Sequence, residues 1–260
     1  MRLTEFLRSF IITLGDFSLF VLETLRSGTH IWRRRGILFR QCEFIGVGSL
    51  GVNAVAAIFM GGVLGYQLYM SFHIFGAEAL LGGSVGVALL RELAPVMAGI
   101  MVTGRSGAAM AAEIASMRVT EQIDALEVMA VDPIEYLVAP RVLAGLLTMP
   151  LLAAFFAAVA ILSAALVSCG IMDLQWTIFW AQLSKVCDPL DMGHCLIKGA
   201  VFGLVLTLVA CFCGYRAQGG ARSVGEATRN TVVSTFLTIL FCDYILTSLL
   251  PYGFSKLKVL

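Results

Sequence analysis

The chain has 260 residues, of which 59% are hydrophobic and 13% are charged, and its mean hydropathy is +0.90. This composition excludes an ordinary soluble domain and predicts a polytopic membrane protein. The formal net charge of +1 provides no broad electrostatic field for binding nucleic acid, so that class of partner is excluded as well.

The first segment, residues 1–30, has the pattern of an amphipathic helix. Polar residues, among them Asp16 and Glu23, lie on the helical face opposite an apolar one. We expect this helix to lie along the bilayer surface. A secretory signal peptide is the alternative, but the two carboxylates would interrupt its apolar core. The apolar face consists of Leu3, Phe6, Leu7, Phe10, Leu14, Phe17, Val21 and Leu25.

Five apolar segments follow that are long enough to cross a bilayer. The predicted spans are residues 44–70, 80–110, 142–170, 195–214 and 231–250. The basic cluster before the first span places the N-terminus in the cytosol by the positive-inside rule, and its members are Arg33, Arg34, Arg35 and Arg40. The segments then predicted to be external hold few basic residues: Lys185, Lys256 and Lys258. One of these segments, residues 171–193, has room for a short helix.

Ionisable residues within the spans are costly in hydrocarbon and need partners or water. Arg91 and Glu92 are adjacent in the second span, so we expect them to pair with each other or to line an internal cavity. Lys198 in the fourth span and Asp243 in the fifth lie at similar depth and could form a pair. Whether that pair serves transport or only fixes helix register is open at this stage. Pro95 lacks a backbone donor and predicts a helix bend near Arg91 and Glu92.

Small residues recur after this predicted bend. Gly104, Ala108 and Ala112 are spaced by four residues, and so are the residues of a second series: Gly107, Ala111 and Ala115. Such spacing predicts a helix face without bulk, where another helix packs closely.

Residues 116–132 form a polar segment between the second and third spans. Thr120 is a candidate cap for a short helix that carries Glu121, Asp124 and Glu127 on one side. A short cytosolic helix of this kind is suited to docking on a separate motor protein. The alternative is a helix that rests on lipid headgroups, although an anionic leaflet would repel its acidic face.

The stretch from Arg91 to Arg141 contains four blocks: RELxPV, GRxGxAxAAE, MRVTEQIDALEVM and VDPxxYLVxPR. It resembles the signature of the MlaE/YrbE permease family, the membrane subunit of MCE-type ABC lipid transporters. Ala94 departs from the family pattern, which usually has Gly there. The resemblance implies an all-α integral membrane fold: an N-terminal interfacial amphipathic helix, five transmembrane helices, and a short cytosolic coupling helix between the second and third.

The resemblance also implies partners and cargo. It implies a non-catalytic homodimer in the inner membrane of a diderm bacterium, with phospholipid as cargo and a part in outer-membrane lipid asymmetry. It implies a cytosolic ABC ATPase (MlaF-like), a periplasmic MCE protein (an MlaD-like hexamer) and a small STAS-domain protein (MlaB-like). The residues implied to couple to the ATPase are Arg118, Glu121, Asp124 and Glu127, and those implied to line the substrate cavity are Arg91, Glu92, Lys198 and Asp243.

No nucleotide or metal site is predicted in the chain itself. The pattern GxxxxGK followed by Ser or Thr does not occur, so ATP and magnesium are expected in the partner ATPase. The seven cysteines contain no CxxC pair, and with three histidines no four-ligand metal spacing appears. The alternative function is an ion-gradient-driven secondary transporter or channel for a small amphipathic solute, which dependence on ATP would distinguish.

Overall fold

The computed structural model describes residues 2–27 and 35–250, which are helical apart from short connections. Five helical rods in this part of the chain are long and apolar enough to cross a membrane. We name them spans 1 to 5: Arg35–His73, Glu78–Val119, Ile134–Gly170, Pro189–Tyr215 and Ala221–Leu249. With no strand in the described ranges, the predicted all-α membrane fold is confirmed. Some predicted features lie outside the described residues, namely residues 28–30, Arg33, Arg34, Lys256 and Lys258.

The described residues form eleven α-helices and shorter segments of other helical types, and eight of these α-helices belong to the spans. Helix α1 (Arg2–Ser27) precedes span 1, α7 (Gln122–Val128) connects spans 2 and 3, and α9 (Trp176–Val186) connects spans 3 and 4. The others are α2 (Arg35–Cys42), α3 (Gly48–His73), α4 (Leu81–Ala88), α5 (Ala94–Val102), α6 (Ala108–Val119), α8 (Ala139–Gly170), α10 (Pro189–Tyr215) and α11 (Ala221–Leu249). Because α7 and α9 lie at opposite ends of the spans, we refer to the α7 end and the α9 end.

π-Helical segments interrupt three of the spans. Span 2 contains two of them, Leu89–Leu93 and Thr103–Gly107. Pro95 lies at the start of α5, directly after the first, so its missing N–H falls where the hydrogen-bond ladder is already rearranged. The predicted bend at Pro95 stays a prediction, and the structure shows a π segment directly before this residue. The remaining two are Glu43–Val47 in span 1 and Ile134–Val138 in span 3.

Span 3 is the central element, because α8 packs on α3 on one side and on α10 on another. Both contacts depend on glycine. A Cβ built on Gly61 of α3 would overlap the Ala160 carbonyl, and one built on Gly203 of α10 would overlap the carbonyl of Gly145. Small residues thus allow backbones to approach closely, which is the usual way that membrane helices pack.

The second half of α1 packs on the α7 end of span 4. Phe17 and Phe20 place their rings 5.2 and 5.6 Å from the ring of Phe212. Asp16 forms an ion pair with Arg216 at 3.2 Å. Of the predicted apolar face, Leu14 and Leu25 are exposed, so α1 combines a docked surface with an apolar surface that remains open.

The connection between spans 3 and 4 is more ordered than a loop. Helix α9 packs on α4, where a Cβ on Gly82 would overlap the carbonyl of Phe179. Span 4 begins at Pro189 rather than near residue 195, because Asp188 and Asp191 form a capping box at its start. Asp191, placed by the sequence analysis in an external loop, is therefore a residue of the helix.

Candidate functional site

A charged cluster lies where spans 2, 4 and 5 meet, toward the α9 end. Lys198 Nζ donates to three oxygens: Glu92 Oε2 at 2.6 Å, Asp243 Oδ1 at 2.8 Å and Thr247 Oγ1 at 2.8 Å. The Thr247 hydroxyl lies 3.2 Å from both Glu92 oxygens, so it donates to that carboxylate while accepting from the ammonium. An ammonium has three N–H donors, and all of them are used here. We call these four residues the Lys198 cluster.

Burial within the Lys198 cluster is uneven. The Lys198 side chain is 2% exposed, whereas Asp243 is 19% exposed and Glu92 is 39% exposed. A charged side chain at the bilayer centre costs roughly 2.5–3.5 kcal/mol on insertion scales, so the enclosed ammonium depends on its acceptors. The cluster contains two carboxylates and one cation. The carboxylates form its accessible side, and the cation is enclosed.

Arg91 does not pair with Glu92, which was one of the two arrangements expected from their adjacency. Its Nε donates to Asp191 Oδ1 at 2.6 Å, and the other oxygen of Asp191 accepts from the Asp188 backbone N–H at 2.9 Å. Neighbouring residues on a helix do not face each other, which is why adjacent charges turn to different partners. Asp191 thus links the start of span 4 to span 2, and the sequence analysis missed it because it follows a polar stretch.

The space beside the Lys198 cluster is small in the single chain. A cavity of about 10 Å³ is lined by Arg91, Glu92, His194, Lys198, Thr247 and Leu250. This volume is at the lower limit for one water molecule and far below that of a lipid. The role of these side chains in a substrate cavity therefore stays a prediction that requires a second chain or another conformation.

A second polar group lies within the described bundle, around Arg105 in the π segment Thr103–Gly107. Arg105 Nη1 donates to the Phe44 carbonyl at 3.0 Å, to Ser106 Oγ at 3.1 Å and to Ser49 Oγ at 3.3 Å. Asn53 donates to the Ser49 carbonyl at 3.0 Å, and its own Oδ1 is buried without a hydrogen-bond partner. The sequence analysis did not select these residues, although Ser49 and Asn53 recur four apart in an apolar run.

The predicted coupling segment is a helix with exposed carboxylates. Arg118 pairs with Asp124, and Glu127 Oε1 accepts from the Tyr215 hydroxyl at 3.4 Å. Thr120 does not cap α7, because its hydroxyl donates back to the Ser116 carbonyl at 2.8 Å. Glu121 takes the cap position instead, with a left-handed φ of 58°. The helix is thus fixed by one ion pair to span 2 and by a hydrogen bond from Tyr215 of span 4, while its acidic side remains open.

The two series of small residues differ in packing. A Cβ on Gly107 would lie 2.6 Å from Leu206 Cδ1, and Ala111 and Ala115 are fully buried. Gly107 and Ala111 of this series thus pack closely on span 4. A Cβ on Gly104 would meet no atom within 4 Å, so the first residue of the other series faces open space in the single chain, whereas Ala108 and Ala112 are half-buried.

The described residues contain no group of three His, Cys, Asp or Glu side chains arranged to hold a metal ion. The charged groups are instead joined to each other by direct ion pairs. Hydrogen bonding and charge are thus the chemistry that the site offers.

Five apolar spans with ionisable groups enclosed between them define a multi-pass membrane protein. The model of the family described as Permease MlaE matches residues 38–249. The chain therefore belongs to the MlaE permease family, which confirms the resemblance carried by residues 91–141.

Several characterised or named proteins are similar over most of the chain. A "Probable ABC transporter permease protein" of Rickettsia felis is 40% identical over 237 residues, covering 91% of this chain and 92% of the relative. The "Intermembrane phospholipid transport system permease protein MlaE" of Haemophilus influenzae is 35% identical over 242 residues, covering 93% of each chain. The Arabidopsis thaliana protein "TRIGALACTOSYLDIACYLGLYCEROL 1, chloroplastic" is 36% identical over 233 residues, 90% of this chain and 65% of that protein.

Proposed function

We propose that this permease is the membrane subunit of an ABC transporter that moves phospholipids between the inner membrane and an MCE-domain periplasmic carrier, contributing to outer-membrane lipid asymmetry. Membership of the MlaE family and the names of the Haemophilus and Rickettsia relatives support it. The single observation that carries it furthest is the Lys198 cluster, which joins spans 2, 4 and 5 through one enclosed cation.

The proposed assembly is a homodimer in the inner membrane, with the N-terminus and α7 in the cytosol. Two ABC ATPases (MlaF-like), each with a small STAS-domain protein (MlaB-like), would dock at the α7 end, and an MCE hexamer (MlaD-like) at the α9 end. The exposed carboxylates of α7, Glu121, Asp124 and Glu127, support the first contact. We place the dimer contact on the outer face of α11, which exposes a row of large apolar side chains: Val233, Leu237, Leu240, Phe241 and Tyr244.

In this proposal the Lys198 cluster acts as a latch on the lipid path. Separating span 5 from span 2 would remove acceptors from an enclosed ammonium, and breaking a buried ion pair costs about 3–5 kcal/mol when nothing replaces the lost partner. A phosphate oxygen is an acceptor of the same kind as a carboxylate oxygen. A phospholipid headgroup that takes the place of Asp243 or Glu92 would therefore lower the cost of opening, and ATP hydrolysis in the partner would drive the cycle.

Lipid transfer in a reconstituted system tests this function. The complex is placed in vesicles with its ATPase, and transfer of a fluorescent phospholipid to the MCE protein is followed with and without ATP. We expect Glu92→Gln combined with Asp243→Asn to reduce ATP-dependent transfer at least about tenfold, since two charge-assisted hydrogen bonds are weakened. Asp173→Asn, which removes an exposed carboxylate at the same end, is the matched control and should transfer normally.

Two results would contradict the proposal. Transfer driven by a proton or sodium gradient without ATP would favour the secondary transporter instead. Normal transfer by the double variant would show that the latch has no part in the reaction.

A further inference from the structure

Two adjoining hollows lie at the α7 end, and neither belongs to the proposed lipid path. The polar hollow, about 540 Å³, is bounded by α2, α6 and the start of span 3, with Gln41, Glu113 and Arg141 in its wall. The apolar hollow, about 500 Å³, is lined by Phe39 and Val47 among others. Gly36 and Arg40 line both, so the two spaces adjoin each other along α2. Volumes of this size are typical of sites for small organic ligands.

The wall of the polar hollow has unused hydrogen-bonding capacity. The Arg141 side chain is 4% exposed, with Nη2 2.9 Å from Glu113 Oε2 and Nη1 donating to the Leu137 carbonyl at 3.0 Å. Its Nε is buried with no acceptor, and Gln41 Oε1 is buried with no donor. Buried polar atoms in native proteins nearly always have partners, so these two side chains keep hydrogen-bonding capacity that a small rotation toward the hollow would offer to a polar ligand.

Arg40 supplies an available cation at the junction of the hollows. Its side chain is exposed, and within the described residues it forms no ion pair or hydrogen bond. Guanidinium groups bind phosphate through paired N–H donors. Arg40 and Arg141 thus present two guanidinium groups to the polar hollow, one of them already balanced by Glu113.

The apolar hollow is open, and its lining includes exposed apolar side chains. Phe39 is 73% exposed and Val47 is 64% exposed, and a Cβ on Gly36 would meet no atom within 4 Å. Glu43 also borders this hollow, beside Arg40, and offers a carboxylate to an ammonium group. A molecule with a phosphate, an amine and an apolar tail would satisfy each of these features.

We propose that the two hollows hold one phospholipid from the leaflet at the α7 end, with its phosphate at Arg40 and Arg141 and an acyl chain along Phe39 and Val47. The site lies far from the Lys198 cluster. Glu113, in the wall of the hollow, follows Glu92 by 21 residues along span 2, which corresponds to roughly 30 Å of helix. Its occupant anchors span 1 to span 3 at the membrane surface.

Photo-crosslinking with mapped products tests the site. The full chain, in phosphatidylcholine vesicles, is mixed with phosphatidylethanolamine carrying a diazirine in its acyl chain, and labelled residues are identified by mass spectrometry. We expect labelling within residues 36–47. Gly36→Phe, whose Cβ meets no described atom within 4 Å and whose ring would occupy the junction, and Arg40→Gln, which removes the cation, should each reduce that labelling about tenfold. Gly225→Phe and Arg222→Gln, matched changes at exposed positions of α11, should leave it unchanged.

Two further arms identify the ligand. A diazirine fatty acid without phosphate should label residues 36–47 weakly, and excess inorganic phosphate should fail to displace the phospholipid probe. Equal labelling by the fatty acid, or displacement by inorganic phosphate, would overturn the proposal, and so would equal labelling of the Gly36→Phe and Arg40→Gln variants. Because labelling is read at α2 and lipid transfer is read at the MCE protein, this inference and the proposed transport function fail independently.

Discussion

Replacing Lys198 by Met tests whether the cluster stabilises the bundle through its charge. Met retains most of the apolar stem but removes the ammonium that donates hydrogen bonds to Glu92, Asp243 and Thr247. Two carboxylates then remain close together between spans without a cation. Removing one partner of a buried ion pair costs about 3–5 kcal/mol, and the 2% exposure of Lys198 places it in that class rather than among surface pairs.

The assay is reversible unfolding of the purified protein in mixed micelles, followed by far-ultraviolet circular dichroism as the denaturing detergent increases. We expect Lys198→Met to lower the free energy of unfolding by about 3–5 kcal/mol. The triple variant Lys198→Met, Glu92→Gln, Asp243→Asn should recover to within about 1 kcal/mol of the native protein, because neutral replacements of a buried pair are often tolerated. Its lipid transfer should nevertheless remain low, which separates the latch from simple structural support.

This reasoning would be refuted if Lys198→Met unfolded within about 1 kcal/mol of the native protein. It would also be refuted if the triple variant were no more stable than the single one, since the loss would then come from packing and not from unpaired charge.

Two other predictions concern packing and docking. Gly82→Ala places a methyl group against the Phe179 carbonyl and should destabilise the protein by about 1–3 kcal/mol in the same unfolding assay, whereas Gly193→Ala, which meets open space, should be neutral or slightly stabilising. Reversing Glu121, Asp124 and Glu127 to Lys should reduce co-purification of the ABC ATPase at least about tenfold while the chain still inserts and folds; retained co-purification and ATP turnover would exclude α7 as the docking element.

The spans and the family could be predicted from the sequence for a physical reason. In hydrocarbon every backbone polar group must be satisfied internally, so a long apolar run has little choice but to form a helix. The boundaries of the spans were harder to predict. Span 4 starts at Pro189, six residues before the predicted 195, because a capping box of Asp188 and Asp191 extends the helix into polar sequence.

Hydropathy and motif spacing alone thus determined an all-α membrane protein with five spans and marked the ionisable residues that need partners. Only the tertiary structure decided which residues those partners are. Arg91 turns from its neighbour Glu92 to Asp191, which is 100 residues away, and Lys198 reaches Glu92 across 106 residues. The local sequence shows that a charged residue in a membrane span needs a partner, because an unpaired charge is costly there. Which residue becomes the partner depends on which helix faces meet, and therefore on the packing of the whole bundle.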